Sequence, residues 1–85
     1  MRRIELFEQA LAATKGLLDR HPGNPGIESV ISQIEYLISL ESGKNPDRSR
    51  LRDIVIGITA VREIEPWDKE IARTLYEVDA EARRM

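Results

Sequence analysis

The side chains that carry most enzyme chemistry are scarce in this sequence. His21 is the only histidine, and it lies directly before Pro22 with no evident partner that would make it a general base. A histidine at the end of a helix more often satisfies exposed carbonyl groups or faces water, and we expect one of those roles for His21. Cysteine is absent, which excludes thiol nucleophiles, disulfides and thiolate metal sites.

The carboxylates and hydroxyls show no catalytic pattern either. Glu77 and Glu81 are four residues apart and can share a helical face, but most such pairs are solvated and mildly repulsive. The serines lie in no strained elbow motif, and the sequence contains no glycine-rich phosphate loop, Glu-x-x-His pair or calcium-loop pattern. We therefore expect a protein that is not an enzyme, binds no metal and needs no cofactor.

Length and composition point to one folded domain spanning residues 1–85. Hydrophobic residues make up 41% of the chain and charged residues 33%, a balance too apolar for disorder. The net charge of -2 does not supply the basic field of a nucleic-acid binder, so no nucleic-acid partner is expected. The N-terminal segment alternates apolar residues with Glu5 and Glu8, which resembles neither a signal peptide nor a membrane span. We expect a cytoplasmic protein without membrane association.

Apolar residues recur at spacings of three and four in four segments, which is typical of amphipathic helices. The predicted helices cover about residues 2–20, 27–42, 46–64 and 66–83. Two prolines and two glycines between His21 and Gly26 make the clearest break, Gly43 suits a left-handed C-cap, and Pro66 separates the last two helices. Short connections join antiparallel neighbours, so the sequence predicts an all-α fold, a compact antiparallel four-helix bundle.

The third predicted helix is the most apolar. Asn45 as N-cap and Pro46 at the first helical position predict its start, and a cap at Asp47 or Ser49 is the alternative. One stripe contains Leu51, Ile54, Val55, Ile58 and Val61, and an adjoining stripe contains Ile56, Ala60 and Ile64. Two apolar stripes predict a central helix that is covered on two sides. Gly57, three residues before Ala60, is expected to let another helix approach closely.

Charge is distributed unevenly along the chain. Residues 44–52 carry a net charge of +3, whereas residues 63–81 carry -5. One interpretation is that the two regions pair across the bundle or are simply solvated, and the other is that they form a patch for a charged protein partner. Trp67 is open to a similar choice between the core and an interface. The residues predicted to be exposed and to bind a partner are Tyr36, Arg48, Arg50, Glu63, Glu65, Trp67 and Asp68.

Several short segments resemble a family of small bacterial immunity proteins, whose best-known member guards against a type VI secretion effector that hydrolyses NAD and NADP. These segments are Asp47-Arg48-Ser49-Arg50-Leu51, Ile54, Gly57-Ile58-Thr59-Ala60-Val61-Arg62-Glu63 and Asp68. The similarity extends upstream to residues 17–22 and 33–38 and so covers most of the chain.

The resemblance implies an all-helical cytoplasmic protein that binds its cognate toxin effector domain, blocks access to the dinucleotide site and has no catalytic activity itself. The positions that match the family pattern are Asp47, Arg48, Ser49, Gly57, Arg62 and Glu63. Asp47 and Ser49 could instead act as caps, Gly57 could serve close packing, and Arg62 and Glu63 could form ion pairs of the bundle. The residues leave self-association open.

Two other classes compete with the immunity hypothesis. A non-catalytic helical adaptor or dimerisation module in a bacterial assembly would use the same kind of apolar and charged surface. A DNA-binding regulator is suggested by the basic residues 44–52, but the helix predicted to follow is too hydrophobic to lie in a groove.

Overall fold

Helices account for most of the protein, and a computed structural model describes residues 2–85. The elements are α1 (Arg3–Arg20), α2 (Pro25–Glu41), a 3₁₀ turn (Leu51–Asp53), α3 (Ile56–Thr59), a π-helical turn (Ala60–Ile64) and α4 (Lys69–Ala82). The π-helical turn continues α3 directly, and the two together form the third helix of a four-helix bundle. The described residues contain no β-strand, and the predicted all-α fold class is confirmed.

The residues at the two ends of the second helix determine where it begins and ends. The Asn24 side chain accepts a hydrogen bond from the Ile27 backbone N–H at 3.0 Å, and Pro25 takes the first helical position. The helix therefore starts two residues earlier than the predicted Ile27. At its other end Gly43 has a φ of +81°, the left-handed conformation expected there.

The prediction that the third helix begins near Pro46 is wrong. The Asn45 side chain accepts from the Asp47 N–H at 2.9 Å, and the Asp47 carboxylate accepts from the Ser49 N–H at 3.0 Å. These local bonds from side chain to backbone compete with helix formation. The chain stays irregular apart from the 3₁₀ turn, and α3 starts only at Ile56.

Tyr36 holds this irregular segment against α2. Its hydroxyl donates to the Asp47 carbonyl at 2.7 Å and accepts from the Arg50 N–H at 3.3 Å. The guanidinium of Arg50 lies over the Tyr36 ring, 5.1 Å from its centroid. The segment around residues 47–50 is therefore fixed by one side chain of α2.

The core lies where α1, α2 and α4 meet, and the third helix packs against α4 and touches α2. Its largest fully buried side chains are Phe7, Thr14 and Leu17 of α1, Ile27, Val30, Ile34 and Leu37 of α2, Ile56 and Ile64 of the third helix, and Leu75 and Val78 of α4. Thr14 is the buried polar residue, and its hydroxyl donates to the Ala10 carbonyl at 2.7 Å. Among the described residues, no helix is both long and apolar enough to cross a lipid bilayer.

The third helix is covered on one side only, which corrects the prediction of a central helix. Its inward face carries Ile56, Ala60 and Ile64, all with no exposed surface. Of the other predicted stripe, Leu51 and Ile54 precede the helix and pack half-buried against the core, whereas Val55, Ile58 and Val61 are exposed, because α2 and α4 pack against only one face of this short helix.

The fourth helix starts at Lys69 rather than at the predicted Pro66. The Asp68 carboxylate accepts from the Ile71 N–H at 3.0 Å and caps the first turn. Pro66 and Trp67 consequently belong to the preceding turn, which contains the Trp67 N–H to Ile64 carbonyl bond at 2.9 Å.

Candidate partner-binding surface

Two of the predicted partner-binding residues lie in the basic segment after α2. Arg48 and Arg50 are both exposed, and neither forms an ion pair within residues 2–85. Tyr36 was expected to be exposed as well, but only 8% of it is. Its place beneath residues 47–50 means that it positions the arginines instead of facing solvent.

Glu63 is exposed, but its carboxylate rests against the first turn of α2. A Cβ added at Gly26 would overlap the Glu63 carboxylate, so the glycine makes this approach possible. An acidic group near a helix N-terminus is favoured by the helix dipole. The predicted ion pairs of Glu63 and Arg62 are not formed within the part of the chain that the structure describes.

Glu65 and Asp68 are only partly exposed and already have partners in the chain. The Tyr76 hydroxyl donates a hydrogen bond to the Glu65 carboxylate, and this bond raises the pKa of Tyr76. Asp68 caps α4 and lies 3.7 Å from the Arg20 guanidinium. Both carboxylates therefore hold the turn between the third helix and α4.

Trp67 lies at the surface, with 48% of the residue exposed. Its indole stacks on the His21 imidazole, with ring centroids 3.8 Å apart and an interplanar angle of 10°. His21 is thus the C-cap of α1, where its backbone N–H donates to the Leu17 and Leu18 carbonyls as expected for a histidine at a helix end, while its ring packs against Trp67. A shallow pocket of about 260 Å³ beside the stack is lined by Asn24, Arg62, Glu63, Pro66 and Trp67.

The outward side of the third helix forms an apolar strip that the sequence had assigned to the core. The apolar strip consists of Val55, Ile58 and Val61, which are 46%, 55% and 54% exposed. With Trp67, these are the large hydrophobic residues that stand exposed in residues 2–85. The sequence pattern could not identify this strip, because the spacing of apolar residues does not show how many neighbours cover a helix.

Neighbouring helices fix the start of the apolar strip through its backbone. The Gln33 side chain of α2 accepts from the Val55 N–H at 2.8 Å, and the Asp79 carboxylate of α4 accepts from the Gly57 N–H at 3.1 Å. Gly57 allows this approach, since a Cβ there would lie 3.1 Å from the Asp79 carboxylate. The expectation that Gly57 serves close packing is confirmed.

The predicted pairing of the basic and acidic regions across the bundle does not occur in the described residues. The carboxylates of Asp68, Asp79 and Glu81 pair with Arg20, Arg83, Arg3 and Arg84, all outside residues 44–52. Hydrogen bonds from the Ser49 side chain and backbone lower the pKa of Asp47 within the basic segment itself. No group of three or more potential metal ligands was found among residues 2–85.

Comparison with known proteins identifies a matching family and a solved complex that contains a similar protein. The Tsi6 family model matches residues 2–84. The immune protein Tsi6 of Pseudomonas aeruginosa is 35% identical over 75 residues, which cover 88% of this chain and 80% of that protein. A solved structure of Tsi6 from P. aeruginosa has a TM-score of 0.92 at 32% identity, covering 100% of this chain and 88% of the other. A structure of Tse6 in complex with Tsi6 gives 0.91 at 32% identity, covering 99% and 89%.

Proposed function

The chain belongs to the Tsi6 family of small helical type VI immunity proteins, and from this premise we propose that it binds a cognate toxin domain and blocks the toxin's active site. The family consists of immunity proteins, so the prediction that the chain is not an enzyme is confirmed. Inhibition by binding requires a stable complementary surface on the inhibitor and no reacting groups of its own.

One observation carries the proposal. Tsi6 has been solved in complex with Tse6, and the present chain superposes on that Tsi6 structure with a TM-score of 0.91 over 99% of its length. A shared backbone at 32% identity supports a shared mode of action while most of the side chains differ. A different surface on the same scaffold is what a different cognate toxin requires.

We propose that the toxin is an NAD(P)+ glycohydrolase and that the chain neutralises it in the cytoplasm, where those dinucleotides are available. The support comes from the resemblance of residues 47–51 and 57–63 to the immunity proteins that guard against such an effector. Residues 57–63 contain Ile58 and Val61 of the apolar strip, residues 47–51 precede the strip in sequence, and both segments carry exposed side chains.

The predicted partner-binding residues would contribute to toxin binding in two ways. Arg48, Arg50, Glu63 and Trp67 are exposed and would contact the toxin directly. Tyr36, Glu65 and Asp68 would act indirectly, because their polar groups hold the segments that carry the exposed residues.

The decisive experiment measures NAD consumption by the toxin encoded beside the gene for this chain, with and without the purified chain. Loss of hydrolysis together with a stable complex is the expected result. Hydrolysis that persists in a stable complex would favour the adaptor hypothesis, and a toxin that binds but never consumes NAD would overturn the proposed chemistry alone.

Replacing Arg48 and Glu63 together by alanine tests whether the exposed charges contribute. We expect weaker toxin binding with unchanged helicity by circular dichroism. Arg73→Ala combined with Glu77→Ala is the matched control, because it removes the same charges from exposed positions of α4. Equal binding by both double variants would reject this placement of the interface.

A further inference from the structure

We propose that the apolar strip of Val55, Ile58 and Val61 is the centre of the toxin-binding surface, and that it fits a toxin patch with an apolar middle and an acidic rim. The inference rests on the proposed function and specifies its partner chemistry. It places the centre of the contact on three residues that the sequence had assigned to the core.

With Trp67, the strip is an exception among the described residues, whose other large apolar side chains are buried or half-buried. Each of its three residues is about half exposed, whereas Ile56 and Ile64 of the same helix have no exposed surface. The spacing of three places Ile58 and Val61 on one side of the third helix, and Val55 directly precedes the first helical residue. Contiguous exposed apolar surface of this kind marks an interaction site more often than isolated hydrophobic residues do.

The strip is also held in place before any partner arrives. Gln33 and Asp79 bind the backbone N–H groups of Val55 and Gly57 from two different helices. Three fully buried residues, Ile56, Ala60 and Ile64, fix the opposite side of the helix. A preordered surface loses little conformational entropy on binding, so more of the contact energy appears as affinity.

Cations without ion-pair partners flank the strip in sequence on both sides. Arg48 and Arg52 precede it and Arg62 follows Val61, and all three are exposed without an ion pair among the described residues. Residues 44–53 contain four basic side chains and two acidic ones, Asp47 and Asp53.

The nearby carboxylates offset these cations only in part. Asp47 accepts hydrogen bonds from Ser49, and the Glu63 carboxylate rests against Gly26 at the start of α2. The complementary partner therefore has carboxylates placed around an apolar patch.

A second copy of this chain fits the strip less well. A second copy would present the same unpaired Arg48, Arg52 and Arg62, so cations would be present on both sides of the contact. Three half-exposed aliphatic side chains are also small beside the roughly 800 Å² that each partner buries in a standard interface. The occupant must therefore reach the charged flanks, where acidic groups are favoured.

The variant Ile58→Glu tests the centre of the strip. Position 58 is the third residue of α3, where an acidic side chain is compatible with the helix dipole, so the fold should persist. We expect the dissociation constant for the toxin domain to rise by about tenfold or more, as for a central interface residue. Ile58→Ala removes the same contact without adding charge and should weaken binding less.

Ala12→Glu provides the matched control for the added charge. Ala12 is exposed on α1, outside the third helix and its flanking segments, so binding should stay as in the unmodified chain. Arg62→Glu tests the rim. This variant should slow association and make the association rate less sensitive to salt, because a steering charge has been reversed.

The experimental outcomes distinguish a failure of this inference from a failure of the proposed function. If the unmodified chain binds no toxin, the proposed function fails and the inference with it. If the unmodified chain binds the toxin and both Ile58→Glu and Ile58→Ala bind it as tightly as the unmodified chain does, the inference alone is overturned. The unmodified chain could also form a concentration-dependent dimer that Ile58→Glu converts to monomer without changing toxin binding. That result would assign the strip to a second copy of the chain and would also overturn the inference.

Discussion

The imidazole of His21 and the indole of Trp67 stack face to face, with centroids 3.8 Å apart and planes inclined by 10°. The two residues are far apart in sequence: His21 follows α1 and Trp67 precedes α4. Their stack therefore ties the break between the first two helices to the turn between the last two. The residues next to them in sequence also pair, since the Asp68 carboxylate lies 3.7 Å from the Arg20 guanidinium.

His21→Ala should loosen this tie while leaving the four helices in place. Aromatic pairs contribute about 0.5–1.5 kcal/mol beyond their buried area, and the exposure of Trp67 favours the lower half of that range. Urea denaturation followed by circular dichroism measures the loss. Trp67 is the only tryptophan, so its fluorescence reports the altered environment directly. His21→Phe keeps a stacking ring and should retain most of the stability; equal losses in both variants would contradict the explanation.

Tyr36→Phe should release the segment that presents the arginines. The hydroxyl bonds to the Asp47 carbonyl and the Arg50 N–H would be lost, while the ring beneath the Arg50 guanidinium would remain. We expect a loss of about 1 kcal/mol in the free energy of unfolding and faster hydrogen exchange at the Arg50 amide. Tyr76→Phe removes the other tyrosine hydroxyl and should leave that exchange rate unchanged. Unchanged exchange in Tyr36→Phe would show that the hydroxyl does not hold the segment.

Most of the fold could be predicted from the sequence because three helices carry one apolar face each. The breaks at residues 21–26 and at Gly43 contain prolines and glycines, which seldom continue a helix, and the structure places helix ends there. The start of the third helix could not be predicted, because Asn45 and Asp47 favour helix caps and tight turns equally well. The contact that holds the turn comes from Tyr36, which lies on another helix.

The candidate surface was less predictable for a related reason. Val55, Ile58 and Val61 have the spacing of a buried stripe, and period alone does not say how many neighbours a helix has. Only the packing of α2 and α4 against Ile56, Ala60 and Ile64 shows which side remains open.

Gly16 and Gly57 should respond in opposite ways to alanine. A Cβ at Gly16 meets no atom within 4 Å, so Gly16→Ala in α1 should gain about 0.5–1 kcal/mol from helix propensity. A Cβ at Gly57 would lie 3.1 Å from the Asp79 carboxylate, which Arg83 also holds at 2.9 Å. Gly57→Ala should therefore gain nothing or lose stability in urea denaturation. A gain equal to that of Gly16→Ala would mean that Asp79 moves freely.

Tyr76 should make the folded protein sensitive to alkaline pH. Its hydroxyl donates to the Glu65 carboxylate, and this bond raises the pKa of Tyr76 above its ordinary value of 10.0. A raised pKa in the folded state means that the stabilisation is fully present below about pH 10 and is lost as the pH rises through the folded pKa. The free energy of unfolding should therefore fall more steeply above about pH 10 in the unmodified chain than in Tyr76→Phe. Tyr36→Phe keeps the Tyr76 bond and should retain the steep fall, so parallel pH profiles for the unmodified chain and Tyr76→Phe in urea denaturation would contradict the assignment.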